Sequence, residues 1–126
     1  MTQEELREYR SLYKEVEELR RMLLEMEARQ GTDRWTELSG TVYAARKERF
    51  EEAQHRASLL LERIETSIED LPSMERRVIR LRYIEGFDWF RVSSMMNFSY
   101  DHVSGKLHRN ALRLLKENKR EQAKNK

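Results

Sequence analysis

Arg76, Arg77, Arg80, Arg91, Lys106, Arg109, Arg113 and Lys116 are the side chains whose type and density could do chemistry, and the chemistry open to such a set is the binding of anions. Catalytic chemistry finds little to work with. His102 and His108 stand six apart, the wrong spacing for two metal ligands on one helix face. Glu52-Ala53-Gln54-His55 has the Glu-x-x-His form used in di-iron bundles, but a four-helix site needs a second such motif and the sequence has none, so it reads as a surface pair. There is no Gly-rich phosphate loop, no Ser-His-Asp order and no pair of carboxylates on a plausible cleft. An enzyme is not expected, nor is a metal or other cofactor.

The cationic residues belong to one half of the chain. The net charge of +2 divides into residues 1–71, with 12 Lys and Arg against 17 Asp and Glu, and residues 72–126, with 13 against 6. A basic segment joined to an acidic one predicts that the basic half meets a polyanion while the acidic half does something else. With no cysteine there is no disulfide framework or thiolate site. No apolar run approaches the roughly 18 residues a membrane span needs, and the start "MTQEELREYR" lacks the apolar core of a secretion signal. A cytoplasmic protein without membrane contact is the expectation.

Four Gly and one Pro in 126 residues leave little for sheet turns or long loops, so the predicted fold class is all-α. In 1–71, Tyr9, Leu12, Val16, Leu19, Leu23 and Met26 recur at alternating spacings of 3 and 4, a heptad stripe. Residues 31–40 hold two glycines and small polar side chains and read as a loop. From Thr41 the heptads resume: Tyr43, Phe50, Ala57, Ile64 and Leu71 are seven apart, with Ala53 and Leu60 between them. Two helices of similar length and one short loop predict a long antiparallel helical hairpin. A lone hairpin covers only part of each stripe, so a second copy, making a homodimer, or the C-terminal half is expected to cover the rest.

Three further helices are predicted in 72–117. Pro72 stops the long helix and Ser73 is placed to cap the next, where Met74, Val78, Leu81 and Tyr83 or Ile84 form an apolar face up to Gly86. Asp88 caps a short helix from Trp89 to Met96, with Val92, Met95 and Met96 turned inward. Asn97 suits a left-handed helix end, and Ser99 caps a last helix on which Val103, Leu107, Ala111 and Leu114 recur at helical spacing. On a wheel of 99–117, Asp101, His102, Gly105, His108 and Arg109 fall opposite that stripe, with Lys106 at its side. Leu112 and Leu115 fall off the stripe and are expected to pack on the hairpin or a partner; Trp35 and Trp89 read as packing residues. A short helix, a turn of about three residues and a longer basic helix have the proportions of a helix-turn-helix. Residues 118–126 read as a basic tail.

The stretch resembles region 4 of bacterial sigma factors, above all the extracytoplasmic-function type. The residues that carry this are Leu71-Pro72, Arg76, Val78, Leu81-Arg82-Tyr83, Gly86, Asp88, Val92, Asn97-Phe98-Ser99 and "VSGKLHRNALRLL". The layout as a whole is similar to small phage-encoded transcription regulators of the ArpU type. The resemblance implies a transcription regulator that binds double-stranded DNA at bacterial or phage promoters, with its last helix in the major groove. Asp101, His102, Gly105, Lys106, His108 and Arg109 would then lie at base edges, and Arg76, Arg77, Arg80, Arg91, Arg113 and Lys116 on phosphates. The chain departs from that family where Arg91 and Ser93 replace the usual acidic residue and Ala, and the acidic hairpin is unlike the sigma region that opens promoters. Two other functions stay open: a module that binds RNA polymerase or an anti-sigma partner without touching DNA, and a phage packaging protein that recognises viral DNA.

Overall fold

Thr2 and Glu5 start the first helix by bonding to each other's backbone: the Thr2 hydroxyl accepts from the Glu5 amide at 3.3 Å and the Glu5 carboxylate accepts from the Thr2 amide at 3.3 Å. Such a reciprocal cap satisfies two of the donors that a helix start leaves open. Met1 before it and Leu6 after it are both buried, the two positions that staple a capped start to its core. The computed structural model describes residues 1–124, with side chains through Asn118, and within them all regular structure is helical. The helices are α1 (Gln3–Arg29), α2 (Glu37–Ile68), α3 (Ser73–Ile79), α4 (Trp89–Met96) and α5 (His108–Lys124). Two wide π-type turns, Arg80–Ile84 and His102–Leu107, continue α3 and lead into α5. The basic tail expected at 118–126 falls, beyond Asn118 and the helical backbone to Lys124, outside the described residues.

α2 starts earlier than expected. Thr36 and Ser39 exchange cap bonds, the Thr36 amide donating to the Ser39 hydroxyl at 3.1 Å and the Ser39 amide to the Thr36 hydroxyl at 3.2 Å. The loop is therefore shorter than 31–40, and Gly40 lies inside the helix. At the other end α2 stops at Ile68, ahead of Pro72, which serves as the N-cap of α3. Ser73 is the first residue of α3, and no side chain makes its cap bond.

The chain forms two compact units, and these cut across the expected boundary at residue 71: Ser11–Leu59 is one, and Met1–Arg10 with Leu60–Lys126 is the other. In Ser11–Leu59 the stripe residues Val16, Leu19 and Ala53 form a buried cluster, with Phe50 and Ala57 against it. Glu15 pairs with Arg49 at 3.2 Å, and Glu27 accepts from the Tyr43 hydroxyl at 2.6 Å, so α1 and α2 run in opposite directions here. Trp35 meets Tyr43 edge-on at 6.0 Å.

In the second unit Val78, Leu81, Val92, Met96, Val103 and Leu107 form one buried cluster, with Phe87 and Trp89 packed on it. Met74 and Met95, expected on the inner face, are exposed, while Ile79 is fully buried. The first ten residues belong to this unit through specific bonds. The Gln3 amide donates to the Tyr83 hydroxyl at 3.2 Å, the Arg10 guanidinium donates to the Ile84 carbonyl at 3.1 Å, and Glu5 pairs with Arg63 at 2.8 Å. Gly86 suits this turn by its backbone conformation, and the Arg10 guanidinium lies over it. The φ of Gly86 is +78°, and a Cβ at that position would displace the Arg10 guanidinium.

Candidate nucleic-acid interface

Local bonding fixes how α4 hands over to the last helix. The Asp88 carboxylate accepts from the Arg91 amide at 2.8 Å and caps α4. At its far end Asn97 takes the left-handed conformation (φ 62°), the Phe98 amide bonds back to the Ser93 carbonyl at 3.2 Å and the Asn97 amide to Ser94 at 3.3 Å. This paired closure satisfies the terminal carbonyls and turns the chain sharply. The Ser99 hydroxyl then accepts from the His102 amide at 3.2 Å and opens the next helical run. Val92 and Met96 on one side of this bend and Val103 and Leu107 on the other share a single core.

Asp101, Lys106 and Arg109 are exposed on that run, and His102 and Gly105 are half-buried. The His102 ring stands 5.1 Å from the Phe98 ring. Arg109 bonds through Nε to the Gly105 carbonyl at 3.4 Å, and a Cβ built at Gly105 would meet only the Arg109 guanidinium, at 3.7 Å. A methyl group would therefore fit at Gly105, in ordinary contact with the Arg109 side chain.

His108 does not belong with these residues. Its Nε2 is 2.7 Å from the Tyr83 hydroxyl, and its ring lies 4.5 Å from Trp89, edge to face, and 5.7 Å from Tyr83. Burial, with the positive charges of Arg82 and Arg7 adding to it, pushes its pKa down to about 4, so the ring is neutral at physiological pH. The wide turn at His102–Leu107 is what turns His108 away from that face. It spends about one residue more than an α-turn, which rotates everything after it by about 100° relative to a regular wheel. The same rotation buries Leu115 at 1% exposure in place of Leu114. The backbone there meets the chain start, the Met1 amine donating to the Leu115 carbonyl at 3.5 Å.

The six side chains expected on phosphates divide by what they already hold. Arg80 makes a two-pronged bond to Glu65, both contacts 2.8 Å, which holds the Glu65 carboxyl below its ordinary range. Arg76 donates to the Glu69 carbonyl at 3.3 Å near the end of α2, and Arg77 to the Met95 carbonyl at 3.3 Å near the end of α4. These three brace the fold. Arg91 stacks on the Phe87 ring at 4.1 Å, and Lys116 is exposed. Arg113 donates to Glu117 at 2.8 Å and to the Asn110 side chain at 2.6 Å.

Sequence reasoning places Glu75 only as an acid in the first turn of α3 and gives Asn110 no role. Glu75 on α3 is nearly buried, and its carboxylate accepts from the Asn110 amide at 3.0 Å. Together with Lys106, Leu107, Arg109 and Arg113 they line an open groove of about 720 Å³. A buried acid on one helix and an amide on the next can be recognised as partners only once α3 and α5 are seen side by side. Phe98, read from the sequence only as part of the Asn97-Phe98-Ser99 motif, and Tyr100 are exposed at 41% and 49%. Among the described residues no three His, Asp or Glu side chains gather as a metal set, and no helix is long and apolar enough to cross a membrane. No known protein family, curated protein or solved structure matches the chain.

Proposed function

We propose that the chain is a sequence-specific DNA-binding transcription regulator in which α4 and the run from Ser99 through α5 act as a helix-turn-helix of the sigma region 4 kind. The observation that supports it most is the α4–Asn97–Ser99 bend, closed by caps at both ends over one shared core, with Asp101, Lys106 and Arg109 exposed on its outer side. Such a bend holds the second helix rigidly enough to enter a major groove, where its first turns meet base edges. Asp101 accepts from cytosine, Arg109 and Lys106 donate to guanine, and Gly105 admits close approach. Arg91 and Lys116 supply charge to the phosphates on either side. The antiparallel helices of Ser11–Leu59 then bind a second copy or polymerase, and a promoter is the site of action.

The test is selection of genomic and phage DNA by the full chain at about 150 mM salt, where non-specific phosphate binding is weak. Enrichment of one promoter-like site is the expected result; enrichment of a packaging site would replace the regulator with a viral DNA recognition protein, and no enrichment would refute both. A second reading, a module that binds polymerase or an anti-sigma protein, is favoured by Phe90, a large apolar side chain 75% exposed on α4. Retention on heparin separates the two, because phosphate binding gives a steep salt dependence and a protein contact does not.

A further inference from the structure

The groove between α3 and α5 gathers three cationic side chains, of which Arg113 is already paired with Glu117. Its lining, among the described residues, holds Lys106, Arg109 and Arg113 with Glu75, Asn110 and Leu107. Each polar partner in it has a defined job. Glu75 fixes the Asn110 amide nitrogen, which leaves the Asn110 oxygen turned to the Arg113 guanidinium. Arg113 spends further donor capacity on Glu117, and Arg109 spends Nε on its own helix. A guanidinium carries five N–H donors, so both arginines keep several for a ligand, and Lys106 keeps its ammonium group. Arg109 and Arg113 are four apart on α5, the spacing that brings side chains together on one helix face, and Lys106 reaches the same groove from the wide turn that leads into it. An acid nearly out of water that bonds a neutral amide, which in turn holds a cation, is a positioning device: it orders Arg113 before any ligand arrives.

We infer that this groove is a phosphate site, in which Lys106, Arg109 and Arg113 close on one phosphate group while Glu75 and Asn110 hold Arg113 in position. The inference rests on the DNA-binding reading for its ligand, a backbone phosphate beside the major groove, but the chemistry is that of any phosphate monoester or diester. In that site Lys106 and Arg109 set the register of α5 on the duplex in place of reading guanine, and base discrimination falls to Asp101, His102 and the surface at Gly105.

The experiment measures the affinity and salt dependence of the selected DNA site for wild type, Lys106→Gln, Arg113→Gln and Asn110→Ala. The control is Arg49→Gln, which removes the same charge from an exposed position in the other unit. Thermal melting establishes that each variant is folded. Loss of one phosphate contact lowers the slope of log K against log salt by about 0.9 and weakens all DNA sequences alike. Lys106→Gln and Arg113→Gln are expected to do so, and Arg49→Gln is not. Asn110→Ala, which alters no charge, is expected to weaken binding several-fold, and Asn110→Gln to recover less than full affinity. Losses no larger than that of Arg49→Gln, or losses confined to particular base sequences, overturn the groove as a phosphate site while leaving DNA binding intact. Should the wild type bind no DNA, titration with inorganic pyrophosphate followed by NMR decides separately: shifts of the Asn110 side-chain amide and the Arg109 and Arg113 Nε–H signals support a free phosphate ligand, and unmoved signals overturn the site.

Discussion

Stability should rise with pH between 5 and 7 because of one residue, His108. Its pKa of about 4 in the folded chain lies below the ordinary 6.5, so through this interval the unfolded chain binds a proton that the folded chain does not. Acid therefore favours unfolding, and the contribution of the neutral ring is complete above pH 7 and lost progressively as the pH falls toward 4. Between pH 7 and pH 5 the linkage amounts to about 2 kcal/mol at full weight, and partial contact of the ring with water reduces it to about 1 kcal/mol. Urea unfolding at pH 5, 6 and 7 measures this directly. His108→Gln keeps a polar partner for the Tyr83 hydroxyl but cannot titrate, so its stability should be nearly flat over the same range. NMR titration of the imidazole signals provides the complementary reading, with His108 titrating well below the free-histidine range. Equal slopes in wild type and variant, or a His108 signal that titrates above pH 6, would refute the buried, neutral ring and with it the rotation of α5 behind the wide turn.

Three substitutions test the parts that position the interface. Asp88→Ala removes the α4 cap and should cost about 1 kcal/mol of unfolding free energy, seen as a lowered urea midpoint with unchanged slope. Gly86→Ala combines a left-handed φ with the Arg10 guanidinium and should cost more than about 1 kcal/mol; loss of protection of the Ile84 and Phe87 region in hydrogen exchange would place the damage where it is expected. Gly105→Ala has room for its methyl group and should raise stability by about 0.5–1 kcal/mol, while its DNA affinity falls if the helix approaches the bases closely at this point; a variant that is both more stable and equally tight would show that Gly105 is only tolerated.

What was legible in the sequence was the chemistry of single residues. Asp88, Asn97 and Ser99 each act on backbone groups within a few positions, so their types and order suffice to place the bend. The heptad stripe from Tyr9 to Met26 is buried throughout for a similar reason, since a uniform helix preserves a wheel. The wheel fails where the helix is not uniform. Nothing in "HVSGKLHRN" announces a wide turn, and one extra residue was enough to move His108 from the outer face to the inside and to exchange Leu114 for Leu115. Long-range polar partners were invisible for a different reason: Glu75 with Asn110 and Arg80 with Glu65 pair residues on different helices, and no local pattern marks one for the other. The early start of α2 depended on a cap made by Ser39 in place of the usual Glu or Gln, a weaker signal than the glycines around it.

The bonds from Gln3 to Tyr83 and from Arg10 to Ile84 set an order of events during synthesis. A ribosome adding about 5–20 residues per second takes several seconds to pass from one member of each pair to the other. Through that time the apolar face around Leu6 and Tyr9 has been made, and the surface that will bury it has not. The facing helices of Ser11–Leu59 come out in between and have all the sequence they need to close on each other, so the nascent chain can secure its middle before its ends meet. Leu6 and Tyr9 thus stay without the unit that buries them until the chain has passed Ile84.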